Sequence, residues 1–253
     1  MPQAKPYGMI CPITRACDVL EPRWTIPILV ALWGGETRFN DLRRAVGNVS
    51  PALLSRRLKE MEEKGLITRV ADRASGTVDY LRTDRAVALE PVLNALAQWA
   101  QQQLAADFAL CTASASVLMW KLRKVIDPGQ LPRRRIVMRF HFNEPQEFDT
   151  YFALILPDAP VEICTDIPGF DVDLYVETTT PSLVGALLGR TTYARELELG
   201  QLYLSGDTRL ARTIDRWLPA DEYAQFEGIP PLTKDRPRQG RLNELAVGAA
   251  LQV

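Results

Sequence analysis

The sequence of 253 residues has one histidine, four cysteines and no long apolar run, and each scarcity removes a class of chemistry. Cys11, Cys17, Cys111 and Cys164 do not form a metal-ligand spacing, and His141 alone cannot supply the missing ligands, so no metal is expected. There is no Gly-x-Ser-x-Gly elbow and no phosphate-binding glycine loop, which argues against an enzyme; no catalytic residue and no cofactor are assigned. His141 falls in an alternating strand pattern and reads as structural. No stretch reaches about 18 apolar residues, and the N-terminus lacks a charged segment followed by an apolar core. A cytoplasmic chain without a membrane partner, and without structural disulfides, is therefore expected. Formal net charge is only −1, yet residues 1–110 carry 14 Lys/Arg against 12 Asp/Glu and the remainder 16 against 19. The basic side belongs to the first part, where an anionic partner would be met.

What is present is concentrated in residues 39–69, FNDLRRAVGNVSPALLSRRLKEMEEKGLITR. Ser50 can accept from the free N–H groups of a helix start, Pro51 suits the first helical position, and Gly65 can stop the helix in a left-handed conformation. Leu54, Leu58 and Met61 then form one apolar stripe at spacings of four and three, leaving Ala52, Ser55, Arg56, Lys59 and Glu63 on the opposite face. Such a face suits a helix entering the major groove: Arg56 and Lys59 can reach base edges, while Ser50, Pro51, Ala52 and Ser55 allow close approach. Arg57, on the flank, is expected at a phosphate. Phe39 and Leu42 are spaced for a shorter helix packed against this one, beside which Arg38, Arg43 and Arg44 add positive charge.

Two short β-prone runs follow, 66–70 and 76–81, joined by ADRASG with Arg73 near the tip. Helix, helix and hairpin make a winged helix-turn-helix, with the wing along the DNA backbone. The stretch from Cys11 to Arg69 resembles the HxlR family of bacterial transcriptional regulators. The residues that carry the resemblance are Cys11-Pro12, Arg23-Trp24-Thr25, Arg38-Phe39-Asn40-Asp41-Leu42, Ser50-Pro51, Leu58, Gly65-Leu66 and the Tyr80 strand. It implies double-stranded DNA as partner and a homodimer on a pseudo-palindromic operator. One departure is Leu81-Arg82-Thr83-Asp84-Arg85-Ala86, where the family usually has Leu-Thr and then Gly; Thr83 or Asp84 can still cap the next helix. From Val87 through Val92, Leu93, Leu96, Trp99 and Leu104 the spacing is helical and long, leaving a flank for a second subunit. Members of this family that sense oxidants or electrophiles use a cysteine near the N-terminus, and Cys11 occupies the matching place at a helix start, which favours thiolate.

Beyond Leu110 the pattern changes. CTASAS interrupts it, a helix over 117–126 precedes DPGQLPRRR, and Ile136, Met138, Phe140 and Phe142 alternate as in a half-buried strand. Further extended runs are predicted at 151–156, 161–165, 172–178 and 201–205, with helices over 181–188, 193–199 and, capped by Asp207, over 208–218. Sequential strands with short turns favour an antiparallel sheet. The segments FDVDLYVETTTPSLVGALLG and GQLYLSGDTRLARTIDRWL resemble the sterol carrier protein type two fold, an α+β layer around an apolar ligand tunnel. That resemblance implies a small hydrophobic ligand, for which Phe140, Phe142, Leu183, Leu187 and Leu188 are the candidate contacts.

The fold class is thus α+β: an HxlR-like DNA-binding and dimerisation domain over 1–110, a linker helix within 111–133, an antiparallel-sheet, sterol-carrier-like domain over 134–220, and a tail over 221–253 that includes an apolar helix over 242–253. The expected function is transcriptional regulation under control of a hydrophobic effector. Two alternatives stay open: a redox or electrophile sensor acting through Cys11, and a hydrophobic-ligand carrier whose winged helix only meets protein.

Overall fold

Helix ends in this chain are set by local caps. In the computed structural model, which describes residues 7–47, 49–72, 76–106, 110, 114–145 and 147–232, two compact units appear, Met1–Asn94 and Ala95–Val253. Arg73, Cys111 and the helix expected over 242–253 lie outside the described residues.

The first unit contains α1 (Pro12–Leu20), α2 (Thr25–Trp33), α3 (Phe39–Val46), α4 (Pro51–Glu63), a hairpin of β1 (Ile67–Ala71) and β2 (Val78–Arg82), and α5 (Asp84–Val87). Ser50 accepts from the Leu53 N–H at 3.3 Å to start α4. Gly65, at φ 68°, ends it and lets the Leu66 N–H return to the Met61 carbonyl at 2.9 Å. Leu54, Leu58 and Met61 are buried together with Ile28, Leu29, Leu42 and Ile67. The hairpin pairs Ile67 with Arg82 through to Ala71 with Val78. It is tied to the chain ahead of α3, because the Tyr80 N–H donates to the Thr37 carbonyl at 2.8 Å and the Thr37 hydroxyl to Asp79 at 2.6 Å. Thr83 caps α5 by accepting from the Ala86 N–H, and its own hydroxyl donates to the Gly65 carbonyl at 2.7 Å. One hydroxyl thus links the end of the hairpin to the end of α4. The long helix expected from Val87 is divided: α6 (Glu90–Gln103) begins anew, since Pro91 has no N–H to offer the Val87 carbonyl.

The second unit holds α7 (Ala115–Val125), β3 (Ile136–Phe142), β4 (Thr150–Ile155), β5 (Glu162–Cys164), β6 (Leu174–Thr178), α8 (Thr180–Leu187), α9 (Tyr193–Glu198), β7 (Leu202–Gly206), α10 (Thr208–Arg212) and α11 (Ile214–Trp217). The sheet order is β5-β4-β3-β6-β7. It is mixed, which corrects the antiparallel expectation: β3 and β6 pair in parallel, Met138 beside Leu174. The meander β3-β4-β5 uses one edge of β3, so residues 165–173 must carry the chain back to the other edge, and strands joined by a crossover run parallel. The inward face presents Ile136, Met138, Phe140, Phe142, Tyr151, Ala153, Leu174 and Val176 to a core completed by α7, α8 and Trp217. Ala115, Leu118, Met119 and Leu122 of α7, the helix assigned to a linker, are part of that core. The helix expected over 208–218 breaks at Thr213, whose hydroxyl turns back to the Arg209 carbonyl at 2.9 Å.

Gly206 ends β7 where two backbones meet. Its φ is 114°, and an added Cβ would stand 2.4 Å from the Asp173 carbonyl oxygen, the acceptor of the Asp207 N–H at 2.8 Å. Both the conformation and the space require glycine. Gly206→Ala is expected to destabilise the second unit by more than about 1 kcal/mol, read as faster hydrogen exchange of the β6 and β7 amides in the full chain; unchanged exchange would refute the steric account.

Candidate functional site

The capped start of α4 decides which side chains reach solvent. With Leu54, Leu58 and Met61 turned inward, Ser50, Pro51, Ala52, Ser55, Arg56 and Lys59 are all exposed. Arg56 lies 3.8 Å from Glu60 and Lys59 3.8 Å from Glu63, both one turn toward the C-terminus. Such exposed pairs contribute little and are readily exchanged for a phosphate or a base edge. Arg57 differs: its side chain is only 11% exposed and pairs with Glu60, so it is turned away from the surface where a phosphate contact was expected. Arg38, Arg43 and Arg44 are exposed beside this face; Arg38 stands 3.9 Å from Asp79 of the hairpin and Arg44 3.4 Å from Asp41. Two further cations escaped the sequence reading. Arg69 and Arg82 are exposed and share one face of the hairpin, a fact that only the register Ile67 to Arg82 and Arg69 to Tyr80 makes visible.

Cys11 is exposed and sits at the N-cap position of α1, ahead of Pro12. The N–H groups of Thr14 and Ile13 face its sulfur and lower the thiol pKa, because they stabilise the thiolate. Cys164 is the opposite case: burial, with Asp166 and Glu162 nearby, raises its pKa. Along α6, Val92, Leu96 and Trp99 recur at spacings of four and three and are 57%, 47% and 54% exposed, an apolar stripe open to solvent.

In the second unit Phe140, Phe142, Leu183 and Leu187 are buried in the filled core, and Leu188 packs against Ala106, Leu110 and Leu232. None of the five lines a cavity of about 850 Å³ in this unit, whose walls include Ala186, Gly189, Tyr193, Ala194, Leu197 and Ala211. Large side chains at regular spacing fill space, whereas a cavity is left where small ones meet. His141 is on the outward side of β3, its Nδ1 3.0 Å from the Thr150 hydroxyl. Among the described residues no group of His, Cys, Asp and Glu could hold a metal ion, and no helix is long and apolar enough to cross a membrane.

Residues 19–108 match the model of the HxlR-like helix-turn-helix family. YvaP of Bacillus subtilis (strain 168), named an uncharacterized HTH-type transcriptional regulator, is 35% identical over 101 residues, which cover 39% of this chain and 94% of that protein. YtfH of Escherichia coli (strain K12), similarly named, is 35% identical over 95 residues, covering 37% and 75%. Among solved structures, the reduced form of the transcriptional regulator YodB from B. subtilis is 30% identical, covers 38% of this chain and 95% of that one, and has a TM-score of 0.35.

The two thiol environments predict pH profiles displaced in opposite directions. A lowered pKa leaves more thiolate at a given pH, so alkylation of Cys11 by iodoacetamide should reach half its maximal rate at a lower pH than alkylation of Cys164. Peptide mapping across a pH series measures both sites at once, and the reverse order would contradict the role of the Thr14 and Ile13 N–H groups.

Proposed function

The chain belongs to the HxlR-like helix-turn-helix family, and from that premise we propose that it is a DNA-binding transcriptional regulator. The observation that carries the reading is the exposed, capped N-terminal face of α4. Ser55, Arg56 and Lys59 read bases in the major groove, Ser50, Pro51 and Ala52 allow the helix end to approach, and Arg38, Arg43 and Arg44 hold phosphates. Arg57 serves the helix itself through Glu60. The hairpin lies along the backbone, with Arg69 and Arg82 on it and Arg73 assigned to its tip.

Two copies join through the Val92, Leu96 and Trp99 stripe of α6, burying an apolar surface in an isologous contact and setting the distance between two half-sites. Residues 1–110 act as the reading and dimerisation part. Residues 134–220, which resemble the sterol carrier fold, take a small hydrophobic effector, with the helix within 111–133 between them. Arg190 supports control by that effector. Its neighbours Gly189 and Thr191 line the cavity, while its guanidinium donates to the Gln101 and Leu104 carbonyls at the end of α6, at 3.2 and 3.0 Å. A ligand that shifts the 189–193 segment would thus act on the helix that sets dimer geometry. A second reading rests on Cys11: its exposure and lowered pKa favour oxidation or electrophile capture at the start of α1.

Selection of bound fragments from the source genome tests the proposal and yields the operator; no enriched sequence at low salt would refute it and favour a ligand carrier. On the selected operator, Arg56→Ala should weaken binding by about 1–3 kcal/mol and relax one base position. Lys59→Ala should relax one base position and leave the salt slope unchanged; a slope reduced by about 1 would put Lys59 at a phosphate instead. Trp99→Asp should convert the dimer to monomer in sedimentation and abolish tight operator binding. An unchanged oligomeric state would exclude the α6 stripe as the interface.

A further inference from the structure

The cavity beside the 189–193 segment is walled in part by side chains too small to fill it, Ala186, Gly189, Ala194 and Ala211 among them, and its volume of about 850 Å³ falls in the range of pockets that bury a drug-sized molecule. A Cβ at Gly189 would stand 2.9 Å from that of Ala224, so the wall there is already at its closest approach. Of the polar lining residues, Thr191, Thr192, Tyr193, Arg212 and Asp215, one stands apart. Tyr193 is 8% exposed; it lines the cavity, and its hydroxyl, covered in this structure, has no hydrogen-bond partner among the described residues, although buried hydroxyls are ordinarily satisfied. Burial and the nearby Asp215 carboxylate raise its pKa, so the phenol keeps its proton and is a donor. Arg212 and Asp215, both exposed and both lining the cavity, carry opposite charges, so the lining favours neither ionic head.

We propose that this cavity binds an uncharged, mostly apolar molecule with one acceptor oxygen, such as a ketone, ester or quinone carbonyl, toward which the unpartnered Tyr193 hydroxyl turns on binding. An anionic head at the same hydroxyl would stand near Asp215 and be repelled. This site is distinct from Phe140, Phe142, Leu183 and Leu187, which are committed to the core. The proposal rests on reading the second unit as a ligand-binding module, and it is tested without DNA, so that loss of the site and loss of operator binding remain separate results.

The probe is prodan, an uncharged naphthyl ketone whose emission reports hydrogen-bond donation to its carbonyl, titrated into the full-length protein. Saturable binding is expected. Tyr193→Phe should weaken it about two- to tenfold, the share of one neutral hydrogen bond, and shift the emission to shorter wavelength. Ala211→Leu, which fills the wall, should weaken it more, with circular dichroism reporting that the fold is kept. If Ala211→Leu fails to fold, the Tyr193→Phe comparison alone decides. Absence of saturable binding, or binding that Tyr193→Phe alters in neither affinity nor emission, would overturn the site. Tighter binding of the anionic anilinonaphthalene sulfonate, lost in the same variants, would overturn the assignment of an uncharged ligand.

Discussion

A buried guanidinium ties three segments of the second unit to one another. Arg190 is 2% exposed, and among the described residues it meets no carboxylate; its pKa is lowered by desolvation, and its charge is carried by backbone. It donates to the Gln101, Leu104 and Pro230 carbonyls and to the Gln101 side chain at 3.0–3.3 Å, while its own carbonyl accepts from the Leu232 N–H at 2.8 Å. Carbonyls at the end of a helix are the negative pole of its dipole, so they suit a cation that has lost its water. Only arginine can do this, because its planar group offers five donors in fixed directions, whereas lysine offers a point charge. The end of α6, the turn after α8 and residues 230–232 are thereby fastened at one place.

That arrangement gives the cavity its setting. The segment 189–193 presents Gly189, Thr191, Thr192 and Tyr193 to the cavity while Arg190 turns to α6. Behind it Glu196, also buried, accepts from the Ser182 and Thr191 hydroxyls at 2.5 and 2.8 Å, which fixes α9 against α8. The segment that lines the cavity is therefore held from behind by charge-assisted hydrogen bonds. Binding at such a place can alter a rigid framework, since packed and hydrogen-bonded segments shift together.

The legibility of the sequence followed the range of the interaction. Ser50, Pro51, Gly65 and Asp207 act within a few residues of themselves, and each does in the structure what its chemistry implies: Ser50 accepts from Leu53, and Asp207 from Arg209 and Leu210. The alternation in β3 likewise identified its inward face, because a strand's side chains obey a period of two whatever lies beside it. The angle of Arg57 around α4 suggests a flank facing DNA, and only the surrounding packing buries it against Glu60. Arg69 and Arg82 were missed because neither lies in a charge run; the hairpin register brings them to one face.

The chain by itself determined the winged helix-turn-helix, its cap residues, its outward basic face and the apolar stripe of α6, all products of spacing within one element. Tertiary structure decided which edge of β3 receives β6, where the second unit leaves a cavity, and which buried groups stand without partners. Those depend on residues far apart in sequence, such as Tyr193 beside Asp215 or Arg190 on Gln101, and on volume left unfilled. Periodicity records which side chains must be buried. It carries no information about where small residues from separate elements leave space between them.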